Sequence, residues 1–168
     1  RDAQMLALAR EGLDAGRLIA HYQPKIDLNT GSLVGFEALV RCQIDEDLMI
    51  LPQSFAHAFE DRELAIAISA KMISSVLDDI RTWTDRGFAF GHVAINTGAA
   101  DFRTDSFAEM LLAEVTARGL SPSMIELEVT EGVFLGRGAQ HVDRALSTLS
   151  KAGVRIALDD FGTGYAPL

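Results

Sequence analysis

The chain has 168 residues, 48% of them hydrophobic, which is enough for one sizeable core. It carries 15 Lys and Arg against 24 Asp and Glu, a formal net charge of −9, and a field of that sign argues against binding polymeric nucleic acid. No uninterrupted apolar run reaches the length of a membrane span, so no membrane contact is expected from this segment.

Residues 1–16 read as a helix, with Met5, Leu6, Ala9 and Leu13 on one face. Leu18 to Gln23 reads as a strand interrupted at Pro24, and Asp27-Leu-Asn-Thr-Gly31 as a turn. Ser32 to Val40 is the next strand. The connection is too short for a parallel crossover, so the two strands should form an antiparallel hairpin. Ser54 to Glu60 and Leu64 to Trp83 read as helices, the second with core positions at Ile66, Met72, Ile73, Val76, Leu77 and Ile80. Gly87 breaks it, and Phe90 to Asn96 is a strand. Ser106 to Arg118 is a helix opened by a capping box, Ser106-x-x-Glu109, and stopped by Gly119. Met124 to Thr130 is a strand, Gln140 to Lys151 a helix stopped by Gly153, and Val154 to Asp159 a strand. Alternating strands and helices predict an α/β protein with a parallel sheet and helices outside it. About five strands do not complete a (β/α)₈ barrel.

Several polar residues fall late in these strands or just after them: Glu37, Asn96, Glu128, Asp159 and Asp160. An ionised carboxylate in an apolar strand is costly unless something pairs with it. Oxygen ligands converging from several strand ends suit a hard cation such as Mg²⁺. That pattern points to a metal-dependent enzyme. Each piece also has a plainer reading. Glu37 could sit in a cross-strand ion pair, and Asn96 could be a strand-end turn residue. Asp159 and Asp160 could be a helix cap followed by a surface turn. Glu126, Glu128 and Glu131 could form a solvated acidic face, and spacing does not choose among them. Arg41, four residues after Glu37, could hold a phosphate oxygen.

The remaining chemistry is sparse. His21, His57, His92 and His141 show no metal-binding spacing and read as structural or surface residues. No GxSxG elbow is present. The single cysteine, Cys42, excludes an internal disulfide and a CxxC zinc site, and reads as a buried small residue. A reducing cytoplasm is the simplest compartment. The chain begins at Arg1 without a signal-peptide pattern and is expected to belong to something longer.

Together the motifs are specific. Tyr22-Gln-Pro24, Glu37-Ala-Leu-Val-Arg41, Asn96, Glu126-Leu-Glu-Val-Thr-Glu131 and Asp159-Asp-Phe-Gly-Thr-Gly-Tyr165 occur in the order of the EAL-domain family, and the chain resembles that family over essentially its whole length. The resemblance implies a modified TIM barrel with an antiparallel first strand. It also implies hydrolysis of cyclic di-GMP to linear pGpG on a two-metal site holding Mg²⁺ or Mn²⁺. Residue by residue, Glu37, Asn96, Glu128 and Asp159 resemble ligands of the first metal, and Asp159 and Asp160 ligands of the second, with Glu37 central to catalysis. Gln23 and Arg41 resemble substrate-contacting positions, and Glu131 the carboxylate that anchors the loop after its strand. The implied division is a helical lead-in over 1–16 and the phosphodiesterase domain over 17–168, incomplete at its C-terminal end. A neighbouring GGDEF or sensor domain, a homodimer and a membrane-anchored parent protein are all compatible with the family. The alternative is a catalytically inactive cyclic-di-GMP receptor or regulatory domain. Cys42 departs from the Trp that family members often carry after the motif arginine. The family's later lysine and glutamate motifs do not occur in the sequence.

Overall fold

The computed structural model describes residues 2–43, 46, 49–50, 60–135 and 139–159. Helix α1 (Asp2–Asp14) leads into strand β1 (Leu18–Ile26), which turns back into β2 (Leu33–Gln43). The turn is built by Asp27, whose Oδ1 accepts from the backbone N–H groups of Asn29 and Thr30 at 2.8 and 3.0 Å. The hairpin is antiparallel, with Gln23 opposite Glu37 and Lys25 opposite Gly35. Strand β1 does not stop at Pro24 but runs through it, with Pro24 opposite Phe36. Within the described residues β1 pairs only with β2. An outer strand tolerates a proline whose missing N–H faces away from the ladder.

A two-residue strand, β3 (Met49–Ile50), adds to the far end of β2 and had no signal in the sequence pattern. Helix α2 (Arg62–Asp85) follows, capped by Asp61, whose Oδ1 accepts from the Leu64 N–H at 2.9 Å. Most of its expected core positions are buried, but the apolar stripe begins at Leu64, Ala65 and Ile68, and Ile66 is only half-buried. The helix expected over 54–60 falls almost wholly outside the described residues. Strand β4 (His92–Thr97), the short α3 (Ala99–Phe102), α4 (Phe107–Ala117), β5 (Ile125–Thr130), α5 (Ala139–Ala152) and β6 (Arg155–Asp159) complete the order. The expected capping box does not form. Ser106 precedes α4 at φ −102° and ψ 10°, outside the extended region a capping side chain needs, and makes no side-chain bond to the helix.

The sheet order is β1-β2-β4-β5-β6, with β2, β4, β5 and β6 mutually parallel. One face is apolar and packs on the helices. Val93, Ile95, Ile125, Leu127 and Val129 meet Val76, Leu77 and Ile80 of α2, Leu111 and Val115 of α4, and Leu149 of α5 in one buried cluster. A second cluster docks α1, where Ala9 packs with Leu18, Cys42, Leu64, Ile68 and Met72. Aromatic edges tie the hairpin to α2: the Tyr22 ring lies 4.8 Å from Trp83, which lies 5.5 Å from Phe90. The Tyr22 hydroxyl donates to Asp79, and burial followed by that carboxylate pushes its pKa far up.

Two glycines let β2 and β4 approach at their starts. A Cβ on Gly35 would lie 2.2 Å from the His92 carbonyl oxygen, and one on Gly91, at φ +75°, would lie 2.0 Å from the Val34 oxygen. The opposite face of the sheet is polar and concave. Lys25 of β1 reaches carboxylates on β5, three strand spacings away, or about 14 Å on a flat sheet. Side chains stand roughly perpendicular to a flat sheet, so these can meet only where the sheet curls.

Candidate metal centre on the concave face

Period-two alternation sends Gln23 and Lys25 from β1, Glu37 and Arg41 from β2, Ala94 and Asn96 from β4, and Glu126 and Glu128 from β5 to the concave face. Register places Asn96 beside Glu128. Glu37 is in register with Ala94, yet its Oε1 accepts from Asn96 Nδ2 at 3.1 Å, so side chains one pleat apart converge. Glu37 is also near enough to Glu128 to raise its pKa. Three strands thus bring Glu37, Asn96 and Glu128 to one place. Strand β6 puts Asp159 in register with Thr130, while Asp160 lies outside the described residues.

The surroundings of Glu128 are unusual for a carboxylate. It is only 7% exposed. Its Oε1 accepts from Lys25 Nζ at 2.7 Å, and the same ammonium donates to Glu126 Oε1 at 2.8 Å. Burial pushes the Glu128 pKa up and neighbouring Glu37 adds to it, with Lys25 pulling the other way. Lys25 is pushed up overall, its bonds to the two glutamates outweighing the effect of burial. The other oxygen of Glu126, Oε2, lies 3.3 Å from His92 Nε2. His92 is buried, which lowers its pKa, so the imidazole is a structural neighbour of the cluster.

Among the described residues Glu37 pairs with an amide, not a cation. Glu126 and Glu128 are not a solvated face, since Lys25 binds both and their side chains are 14% and 9% exposed. Glu131 sits apart in a 3-10 turn (Glu131–Val133) after β5, and its Oε2 is buried without a partner among the described residues. Arg41 is half-buried and donates from Nη1 to its neighbour's carbonyl, Val40 O, at 2.9 Å. It makes no ion pair among the described residues. Gln23 is exposed. Beside Asn96 opens a cleft of about 440 Å³ whose walls include Arg62, Ser69, Asp101 and Arg103.

Sequence reasoning missed Lys25. The signal was present, because a buried carboxylate requires a partner and Lys25 shares a face of β1 with Gln23. Which carboxylate it would reach depends on register and curvature.

The donor set suits a hard cation. It offers two neighbouring carboxylates and an amide whose nitrogen is engaged by Glu37, leaving Oδ1 to face an ion. Among the described residues no group of three or more His, Cys, Asp or Glu is set to hold a metal. Of the expected set, the side chains of Glu37, Glu128 and Asn96 are brought near one another.

The model of the EAL domain matches residues 6–168. The chain belongs to the EAL domain family. Among curated relatives, the EAL chain is 33% identical over 165 residues to the bifunctional diguanylate cyclase/cyclic di-GMP phosphodiesterase MucR of Pseudomonas aeruginosa, covering 98% of this chain and 24% of MucR. It is 31% identical over 159 residues to the signalling protein YkoW of Bacillus subtilis, covering 95% of this chain and 20% of YkoW. Among solved structures, it matches PaMucR phosphodiesterase in complex with c-di-GMP at a TM-score of 0.86 and 33% identity, over 97% of this chain and 66% of that one. The EAL chain therefore spans about a quarter or less of these curated relatives. The fold expected from the motifs, an α/β barrel of EAL type with an antiparallel first strand, agrees with the six-stranded sheet described above. No helix among the described residues is long and apolar enough to cross a membrane.

Proposed function

We propose that the chain carries the metal-binding face of a cyclic-di-GMP phosphodiesterase, opening the cyclic dinucleotide to linear pGpG with Mg²⁺ or Mn²⁺. The observation that carries this reading is the meeting of Glu37, Asn96 and Glu128 from three strands. Membership of the EAL family and the phosphodiesterase description of MucR support it.

Bound divalent ions would supply an activated water and a Lewis-acid hold on the phosphate. Glu37 and Glu128 would hold them through carboxylate oxygens, Asn96 through its amide oxygen, and Asp159 and Asp160 would complete a two-metal set. Arg41, at the far end of β2 from the hairpin turn and without a carboxylate partner among the described residues, would fix a phosphate oxygen. Gln23, exposed and opposite Glu37, would help hold the nucleotide. Glu131 would anchor the loop that follows β5. In-line displacement requires nucleophile, phosphorus and leaving oxygen to be aligned, and rigid strands place these side chains better than loops could. We place the reaction in the cytoplasm, on a polypeptide that also carries a GGDEF or sensor domain and pairs as a homodimer.

The test is product chromatography. The full-length gene product, given cyclic di-GMP and Mg²⁺ or Mn²⁺, should release pGpG and stop when the metal is chelated. Tight binding with no product in fresh metal would refute the enzyme and leave a receptor.

A further inference from the structure

The ammonium of Lys25 lies 2.7 Å from Glu128 Oε1 and 2.8 Å from Glu126 Oε1. On the intervening strands Gly35 is the register partner of Lys25, His92 is in register with Gly35, and Ala94 is in register with Glu126. Lys25 is itself 33% exposed, whereas the two carboxylate side chains it reaches are 14% and 9% exposed. The charge therefore comes inward to meet acids that water does not solvate well. Glu128 also faces Glu37, and two adjacent carboxylates need positive charge between or beside them. Arg155, in register with Glu126, donates instead to the Ser123 carbonyl, so among the described residues one bonded ammonium faces three carboxyl groups and room remains for a further cation. Lys25 takes only Oε1 of Glu128, which leaves the second oxygen for another partner.

We propose that Lys25 is the resident counter-ion of the site: it holds the carboxylates of β5 in place before a divalent ion binds, and its charge then limits how tightly that ion is held. The inference rests on the metal-binding reading given above. It makes Lys25 a positioning residue that acts through Glu128. A unit positive charge one carboxylate away from a divalent ion repels it, and the repulsion exceeds thermal energy even under near-aqueous screening. Removing the charge therefore strengthens cation binding, while the fold without metal loses a half-buried ion pair.

The probe is Mn²⁺ alone, followed by electron paramagnetic resonance of the free ion, in the full-length protein and in Lys25→Met and Lys25→Arg variants. Melting temperature without metal is measured alongside. Lys25→Met should bind Mn²⁺ about tenfold tighter or more, and melt lower without metal. Lys25→Arg keeps the charge and should return the affinity towards that of the parent, which a purely steric or folding role would not require. If Lys25→Met does not fold, Lys25→Gln removes the charge while keeping a hydrogen-bond donor, and the same tightening is expected of it. Unchanged or weaker Mn²⁺ binding in a folded, uncharged variant overturns the role of Lys25 and leaves the metal site standing. Failure of the parent itself to bind Mn²⁺ overturns the metal site and the role of Lys25 together.

Discussion

Glu37 and Arg41 lie on the same strand and the same face, yet their surroundings assign them different work. Glu37 lies near Asn96 and Glu128, the other members of the oxygen cluster. Arg41 binds only the carbonyl of Val40 among the described residues, so most of its planar fork is unengaged there. Glu37→Ala should abolish turnover by removing a metal ligand. Arg41→Ala should leave cation binding intact and weaken nucleotide capture by roughly 1.5–3 kcal/mol, the worth of a charged hydrogen bond, or about one to two decades in affinity. Calorimetry with the nucleotide, set against turnover, separates the two. An Arg41→Ala variant that binds cyclic di-GMP as the parent does would remove its assigned role. At this scale strand position marked Glu37, Asn96 and Glu128 only as polar residues late in strands, and the structure brings those three near one another. The sequence could not choose between Glu126 and Glu128 without the motif, because both face the same way. Nor could it pair Lys25 with either, since that contact spans strands distant in sequence and depends on how the sheet curls.

Among the elements, β2 presents the candidate site residues on one face and core residues on the other. Arg41 faces the concave side, while its neighbour Cys42 is buried on the helical side against α1. The contact is close: a Cβ on Gly12 of α1 would meet Cys42 Sγ at 2.6 Å. Gly12 and Cys42 form a size-matched pair that seats the helix. Gly12→Ala should destabilise the chain by roughly 1–3 kcal/mol through overpacking, although alanine favours helix. In a Cys42→Ala background most of that cost should vanish. Denaturant unfolding of the double-mutant cycle measures it, and strict additivity of the two changes would show that the pair is not coupled. Helices and parallel strands were legible because long periodic patterns constrain them. The errors fell where tertiary setting overrode a local signal. Pro24 continues a strand because, among the described residues, β1 pairs on one side only, and Ser106 fails to cap α4 because its backbone has turned away from the extended region. The two residues of β3 are too few to leave a pattern.

On the scale of the molecule, the sheet separates an apolar face that holds the helices from a polar face that concentrates charge. The chain is net negative, and on the proposed reading a bound cation would offset some of that charge at the Glu37–Glu128 cluster. Divalent ion binding should therefore stabilise the folded state. At a free concentration about 100-fold above Kd the gain is roughly 2.7 kcal/mol, visible as a rise in melting temperature when Mg²⁺ is returned to chelator-treated protein. Glu37→Ala should lose most of that rise. An equal rise in the variant would place the stabilising ion somewhere other than this cluster.

The aromatic contacts behind the hairpin have an optical consequence. Trp83 is the single tryptophan of the sequence, and its ring lies against Tyr22 of β1, Phe36 of β2 and Phe90. Tryptophan emission from this chain thus comes from one position, the seam between α2 and the two strands that carry Gln23, Lys25, Glu37 and Arg41. Undocking of that seam would expose more of the half-buried indole to water and shift its spectrum to the red, so the protein contains its own fluorophore for whether the hairpin is seated.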